Sequence, residues 1–312
     1  MILGIHHVTA ITSDGQKSID FYAGLLGLRV VKVTVNFDDP GSYHLYFGDA
    51  SGSPGSIVTF FVWPGAHRGR VGNGQVVATT FAVPSGSLVY WMDRLQHASV
   101  VTTSSTRFGK GVLRFADFDG LILELIESGD TRHPWSKGGV DEARAIRGID
   151  GVTLGVEASE HTARLLTETL AFKASDVESN RSRFETAGSN GNRIDVLCQP
   201  GASHGAMGAG VVHHVAIRVA DDPTELSWRH TLTSEGYNVS PVMDRTYFHS
   251  IYFREKGGVL FEIATDQPGM SVDEPSESIG TSLRLPPGVE KFRAELKGHL
   301  PQLKLPGGEV IP

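Results

Sequence analysis

Cysteine is nearly absent from this chain of 312 residues: Cys198 is its only one, so no internal disulfide can staple the fold. It sits in IDVLCQP, an apolar stretch where a small buried side chain is expected. Long basic runs are missing too. With a formal net charge of -7, this argues against nucleic acid or an anionic membrane as the main partner. No apolar run approaches the length needed to cross a bilayer, and the first residues lack the basic-then-apolar pattern of a secretory leader. The expectation is a cytoplasmic protein whose partner is a small molecule. What is present, 40% hydrophobic and 20% charged residues, is the composition of a folded globular chain.

The strongest pattern is an internal repeat. A first unit reads IHHVTAIT, then KSIDFYAGLLGLRVV with apolar residues at helical spacing, then YHLYFGD and SIVTFFVWP. A second reads QVVATTFAV, SGSLVYWMDRLQHASVV, GVLRFADFDG and LILELIES, and a third reads GVTLGVEAS, EHTARLLTETLAFKAS, RSRFETAGSNG and RIDVLCQP. A fourth reads VVHHVAIRVAD, PTELSWRHTLTSEGYNVS, FHSIYFREKGG and VLFEIATD. The period of roughly fifty to seventy residues suits a βαβββ module rather than a solenoid repeat. The expected fold is therefore α+β, with four βαβββ modules arranged as two domains of paired modules. Residues 1–130 would form the N-terminal domain, 131–146 a polar, Gly-rich linker, 147–266 the C-terminal domain, and 267–312 a tail with one short helix at Pro287 to Leu300.

The histidine pairs open the first and fourth modules. Neighbouring side chains of a strand point to opposite faces, so each pair should diverge. His213 shares its face with Val215, Ile217 and Val219, and His6 shares its face with Val8 and Ala10. The more polar faces carry His7 and His214, which become the candidate ligands. A third donor comes from the last strand of the fourth module, where Glu262 lies between Phe261 and Ile263 and needs a partner to be stable there. An arginine, Arg218 or Arg245, would serve that purpose; so would a metal. Across the repeat, the closing-strand position reads Thr59, Glu124, approximately Val196 and Glu262, and the opening-strand position reads His7, a threonine near Thr79, a residue near Leu154 and His214. Glu124 has no histidine companion and is expected to be a structural or salt-bridged acid. If the first and fourth modules face one another, His7, His214 and Glu262 converge into a two-histidine, one-carboxylate set, the donor combination of non-haem Fe(II) centres.

These residues, with YHLYFGD, STRFGK, DTRHPW and DEPSESIGTSLRLPP, resemble the vicinal oxygen chelate superfamily over essentially the whole chain. Within it, they look like the ring-cleaving dioxygenases that act on hydroquinones. The resemblance implies Fe(II), or Mn(II) in its place, on His7, His214 and Glu262. It also implies catalytic help from His6, Thr9, His213, Arg245 and Tyr252, although strand alternation points His6 and His213 away from the metal face. Tyr252 has partial separate support, because FHSIYFREKGGVLFEI reads as a hairpin. A three-residue turn would set Tyr252 opposite Glu262; a four-residue turn would set Ile251 there. Tyr252 also reads as a half-buried hairpin aromatic, Arg245 as a solvated loop cation and His249 as a further cavity candidate.

The implied reaction is an extradiol-type opening of a hydroquinone- or catechol-type aromatic diol by O2, in a protein that the family's habits would make a homo-oligomer. Two rivals remain. One is a glyoxalase-like metal-dependent isomerase or lyase, disfavoured because Thr59 stands where a fourth protein ligand would be wanted. The other is a non-catalytic small-molecule binder, which has no need of the three donors together.

Overall fold

The computed structural model describes residues 1–188 and 191–311, so Ser189 and Asn190, at the end of the third module's RSRFETAGSNG stretch, and Pro312 lie outside the described residues. Four βαβββ modules are present. The first contains β1 (Gly4–Thr12), α1 (Gly15–Ser18), β2 (Arg29–Asn36), β3 (Asp39–Gly48) and β4 (Ile57–Val62). The second contains β5 (Gln75–Val83), α2 (Leu88–His97), β6 (Thr103–Arg107), β7 (Lys110–Ala116) and β8 (Ile122–Glu127). The third contains β9 (Gly148–Val156), α3 (Glu160–Arg164), β10 (Lys173–Glu178), β11 (Arg181–Glu185) and β12 (Arg193–Cys198). The fourth contains β13 (Val212–Val219), α4 (Asp222–Ser234), β14 (Met243–Asp244), β15 (Phe248–Arg254) and β16 (Leu260–Pro268).

The first helix is shorter than its apolar spacing suggests. After α1 the chain widens into a π-helical stretch, Ile19–Leu25, and Gly27 then adopts a φ of +74°, so LRVV does not continue the helix. The β-branched run that follows becomes β2.

Two eight-stranded sheets result, in the orders β14-β15-β16-β13-β1-β4-β3-β2 and β10-β11-β12-β9-β5-β8-β7-β6. Each is joined at its centre by an antiparallel pair, β1 with β13 and β5 with β9. The first sheet thus unites modules one and four, and the second unites modules two and three. Both sheets draw on both halves of the sequence, and the first and fourth modules do meet. Fully buried Tyr22 and Trp91 anchor the helical layer. Trp91 satisfies its indole N–H on the Arg144 carbonyl at 2.8 Å, so burying the ring leaves no orphan donor.

The connecting segment 131–146 packs as part of the body. Arg132 donates to the Gly55 and Ile149 carbonyls at 2.8 and 2.9 Å, and Val140 is buried. Gly138 approaches Gly27 so closely that a Cβ would lie 2.0 Å from the Gly27 carbonyl oxygen. Gly138→Ala should therefore cost about 1–3 kcal/mol through forced backbone displacement, read as a lowered melting temperature. An unchanged melting temperature would show that the segment yields without cost.

The tail lies along β2. The Arg284 amide donates to the Val33 carbonyl at 2.8 Å, and wholly buried Lys32 pairs with Asp273 at 2.6 Å and Glu274 at 2.5 Å. Its expected helix is present as Glu290–Phe292 and α5 (Arg293–His299). Among the described residues, no helix is long and apolar enough to cross a membrane. Cys198 ends β12 partly exposed rather than buried.

Candidate metal centre

The concave face of the first sheet brings His7 of β1, His214 of β13 and Glu262 of β16 together. One donor atom from each lies within 4.8 Å of the others, and all three side chains are buried. Among the described residues this is the only cluster of three metal-donor side chains. Glu262 Oε2 stands 3.2 Å from His7 Nε2 and 2.8 Å from His214 Nε2. Close as it is, that oxygen receives no well-formed hydrogen bond. A wholly buried carboxylate oxygen without a hydrogen bond is costly. It is accounted for if the oxygen and the two nitrogens are directed at a common cation. Ser250 donates to the other oxygen, Oε1, which leaves Oε2 free for that role. Burial alone would push Glu262 up, but the two imidazoles outweigh it and hold the carboxyl well below its usual range. The donor set fits a divalent metal that prefers mixed nitrogen and oxygen ligands.

The second histidine of each pair is not turned away. Strand alternation fails here because β-bulges interrupt the β1/β13 register between Ile5 and His7 and between Thr9 and Ala10, the latter opposite His213. As a result His6 Nδ1 meets His7 Nδ1 at 2.9 Å, and His213 Nδ1 meets His214 Nδ1 at 2.8 Å. With each inner Nε2 lone pair directed at a cation, the inner Nδ1 carries the proton and the outer imidazole accepts it. Burial first, and then the adjacent imidazole, depress both outer rings, with His213 lowered to about 3, so both stay neutral.

The site opens into a cavity of about 330 Å³. Thr9, His213, Arg245 and Tyr252 line it, whereas His6 packs behind His7 and against Phe248. Tyr252 pairs directly across from Glu262, which decides the hairpin register in favour of the three-residue turn. Arg245 donates from Nε to the Tyr252 hydroxyl at 3.3 Å and reaches Asp38 at 3.3 Å, and burial keeps Tyr252 protonated by raising it. His249 lies elsewhere, bonded to Asp222 of α4 at 2.7 Å. Arg218, weighed as a partner for Glu262, binds Asp266 instead.

Ser250, His44 and Tyr46 were not singled out from the sequence. His44 and Tyr46 lie in YHLYFGD, and the signal that would have found them is their alternation on one strand face opposite Thr59. Thr59 itself is engaged with Thr9 and His44, each at 2.8 Å, and supplies no fourth ligand.

The matching face of the second sheet corrects the sequence alignment, by one residue at Thr79 and at Val196 and by three at Leu154. Thr80 pairs with Gly151 as Thr9 pairs with His214, and Thr153 pairs with Asp195 as Ala216 pairs with Glu262. The counterparts of the histidines are therefore Ala78 and Gly151, not residues near Thr79 and Leu154, and the third-module counterpart of Glu262 is Asp195 rather than Val196. A single-residue slip exchanges the two faces of a strand. Both acids there are neutralised by arginine. Arg107 grips Glu124 at 2.7 and 2.6 Å, and Arg183 grips Asp195 at 2.8 and 3.0 Å.

Comparison with known proteins agrees with this geometry. The family described as Glyoxalase/Bleomycin resistance protein/Dioxygenase superfamily matches residues 4–125 and 148–263. MhqO of Bacillus subtilis (strain 168), named provisionally as a ring-cleaving dioxygenase, is 47% identical over 96% of both chains. The chlorohydroquinone/hydroquinone 1,2-dioxygenase of Sphingobium indicum is 34% identical over 94% of both. A crystal structure of a provisionally named dioxygenase from Bacillus subtilis subsp. subtilis str. 168 superposes with a TM-score of 0.95 at 46% identity, covering 97% of this chain and 98% of the other. With the βαβββ modules and the shared face of β1, β13 and β16 in place, the chain belongs to the Glyoxalase/Bleomycin resistance protein/Dioxygenase superfamily and, within it, to the ring-cleaving dioxygenases.

Proposed function

We propose that the protein is an Fe(II)-dependent enzyme that opens a hydroquinone-type ring with O2, with His7, His214 and Glu262 as the metal ligands. The observation that carries this reading is the unpartnered Glu262 Oε2 facing two oriented imidazoles at the floor of an aromatic-walled cavity. The Sphingobium relative, named for hydroquinone substrates, supports the substrate class. A cavity of about 150 Å³ admits benzene. At about 330 Å³ this one has room for a singly substituted ring and for dioxygen beside it.

When bound, the ion supplies Lewis acidity that favours the phenolate form of a ligating hydroxyl. The chain's own groups do the rest. Arg245 donates to the Tyr252 oxygen, so the Tyr252 O–H is free to donate to a phenolate or a developing oxyanion. His213 accepts at Nδ1, which puts its proton on Nε2 and makes it a donor on the cavity wall. Thr9 adds a hydroxyl beside His7, and His6 fixes the His7 tautomer from behind.

Oxygen consumption by protein loaded anaerobically with Fe(II) tests the reading. Methylhydroquinone is expected to give rapid uptake and catechol slower uptake. Uptake with catechol alone would move the substrate class to ortho-diols, and no uptake by protein holding about one metal per chain would refute a dioxygenase.

A further inference from the structure

The wall opposite Arg245 and Tyr252 carries a second polar pair. His44 and Tyr46 of β3 are buried, and both line the cavity. His44 has both nitrogens engaged, Nε2 with Thr59 Oγ1 at 2.8 Å and Nδ1 with the Tyr46 hydroxyl at 3.0 Å, and Thr59 passes the chain on to Thr9 at 2.8 Å. The two tyrosines are counterparts about the β1/β13 axis. Tyr46 pairs with Thr59 as Tyr252 pairs with Glu262, and His44 holds the place of Ser250. Four polar side chains are thus buried in one continuous hydrogen-bonded chain that makes no side-chain hydrogen bond to His7, His214 or Glu262. The reaction as derived above uses only its Thr9 end.

The two tyrosines differ in hydrogen-bond polarity. Tyr252 has its oxygen occupied by a guanidinium donor, so it offers a proton to the cavity. Tyr46 faces a neutral imidazole, because burial and then the site histidines hold His44 well below its usual range. In the His44 tautomer with the proton on Nε2, Nε2–H donates to Thr59, Thr59 donates to Thr9, and Nδ1 is the acceptor for the Tyr46 hydroxyl. That tautomer presents a Tyr46 oxygen lone pair to the cavity. A diol ring anchored through one oxygen has a second hydroxyl with a proton to donate, and an acceptor on the far wall matches it.

We propose that Tyr46 binds the second hydroxyl of the aromatic diol and that His44 is a positioning residue, holding the Tyr46 hydroxyl so that its oxygen accepts that hydrogen bond. This rests on the hydroquinone reading. The test is anaerobic binding of hydroquinone and of phenol, which lacks the second hydroxyl, to metal-loaded protein. Wild type should prefer hydroquinone by about five- to tenfold, the worth of one hydrogen bond. Tyr46→Phe and His44→Phe should bring hydroquinone down to the level of phenol, with phenol binding and metal content unchanged. The phenylalanine at position 44 keeps the ring contact with Phe61, whose centroid lies 4.5 Å away, so the wall should survive. His44→Asn returns an acceptor near the Nδ1 position and should restore part of the preference. Equal losses for both ligands in Tyr46→Phe, or no preference in wild type, would overturn the proposal. Wild type that consumes O2 with hydroquinone yet shows no preference over phenol refutes this inference alone; wild type that neither binds nor turns over hydroquinone refutes the function as well.

Discussion

Glu262→Ala will abolish metal retention and turnover while leaving the fold in place. The carboxylate is wholly buried, and its Oε2 faces only the two imidazoles, so removing it deletes one of three candidate donors and leaves every lysine and arginine ion pair of the described residues in place. Changes one shell further out typically weaken metal sites by 10–100-fold, so loss of a direct ligand should exceed about 100-fold. Stability of the metal-free protein should change little. The variant sheds a buried charge, and the one partner it orphans is the Ser250 hydroxyl. The check is metal content after gel filtration alongside far-UV circular dichroism. A native spectrum with about one tightly held ion per chain would sink the ligand assignment.

Arg107→Met will do the opposite, costing stability and sparing chemistry. Glu124 occupies the place of Glu262 in the second sheet, but its charge is compensated by a bidentate guanidinium and by Thr80 at 2.9 Å. Burial pushes Glu124 up, and Arg107 overcomes this to hold it low, so at neutral pH the acid stays ionised. Removing the arginine leaves that charge with Arg114 at 3.9 Å, itself half exposed. Breaking a buried pair from one side costs about 3–5 kcal/mol, a drop on the order of 5–15 °C in melting temperature. Arg107→Met combined with Glu124→Met should recover most of the loss, because two apolar side chains need no compensation. Metal content and oxygen uptake should match wild type in both variants. Loss of metal in Arg107→Met would show that the two concave faces are coupled.

Much of the centre was legible because the repeat supplies its own internal comparison. His7, His214 and Glu262 stood out as the histidines and acid that break the pattern of their modules, and the bidentate Arg107 explains why Glu124 can break it alone. Two details were not legible. Whether Tyr252 or Ile251 faces Glu262 depends on a turn length that FREKGGVL leaves open, and only the pairing decides it. The outward assignment failed for His213, which lines the cavity, because bulges add a residue on one side of the ladder and periodicity assumes there are none; His6 packs behind His7.

By itself, then, the order of residues determined the module plan, the apolar faces and the choice of the three candidate donors, because strand and helix periods are local and each module repeats them. Only the tertiary structure decided that module one pairs with module four and module two with module three, since β1–β13 and β5–β9 pairing joins strands far apart in the chain. That pairing, with its bulges, turns aligned positions of the first and fourth modules into a walled site on one sheet. On the other sheet, arginines neutralise the acids that occupy the same places.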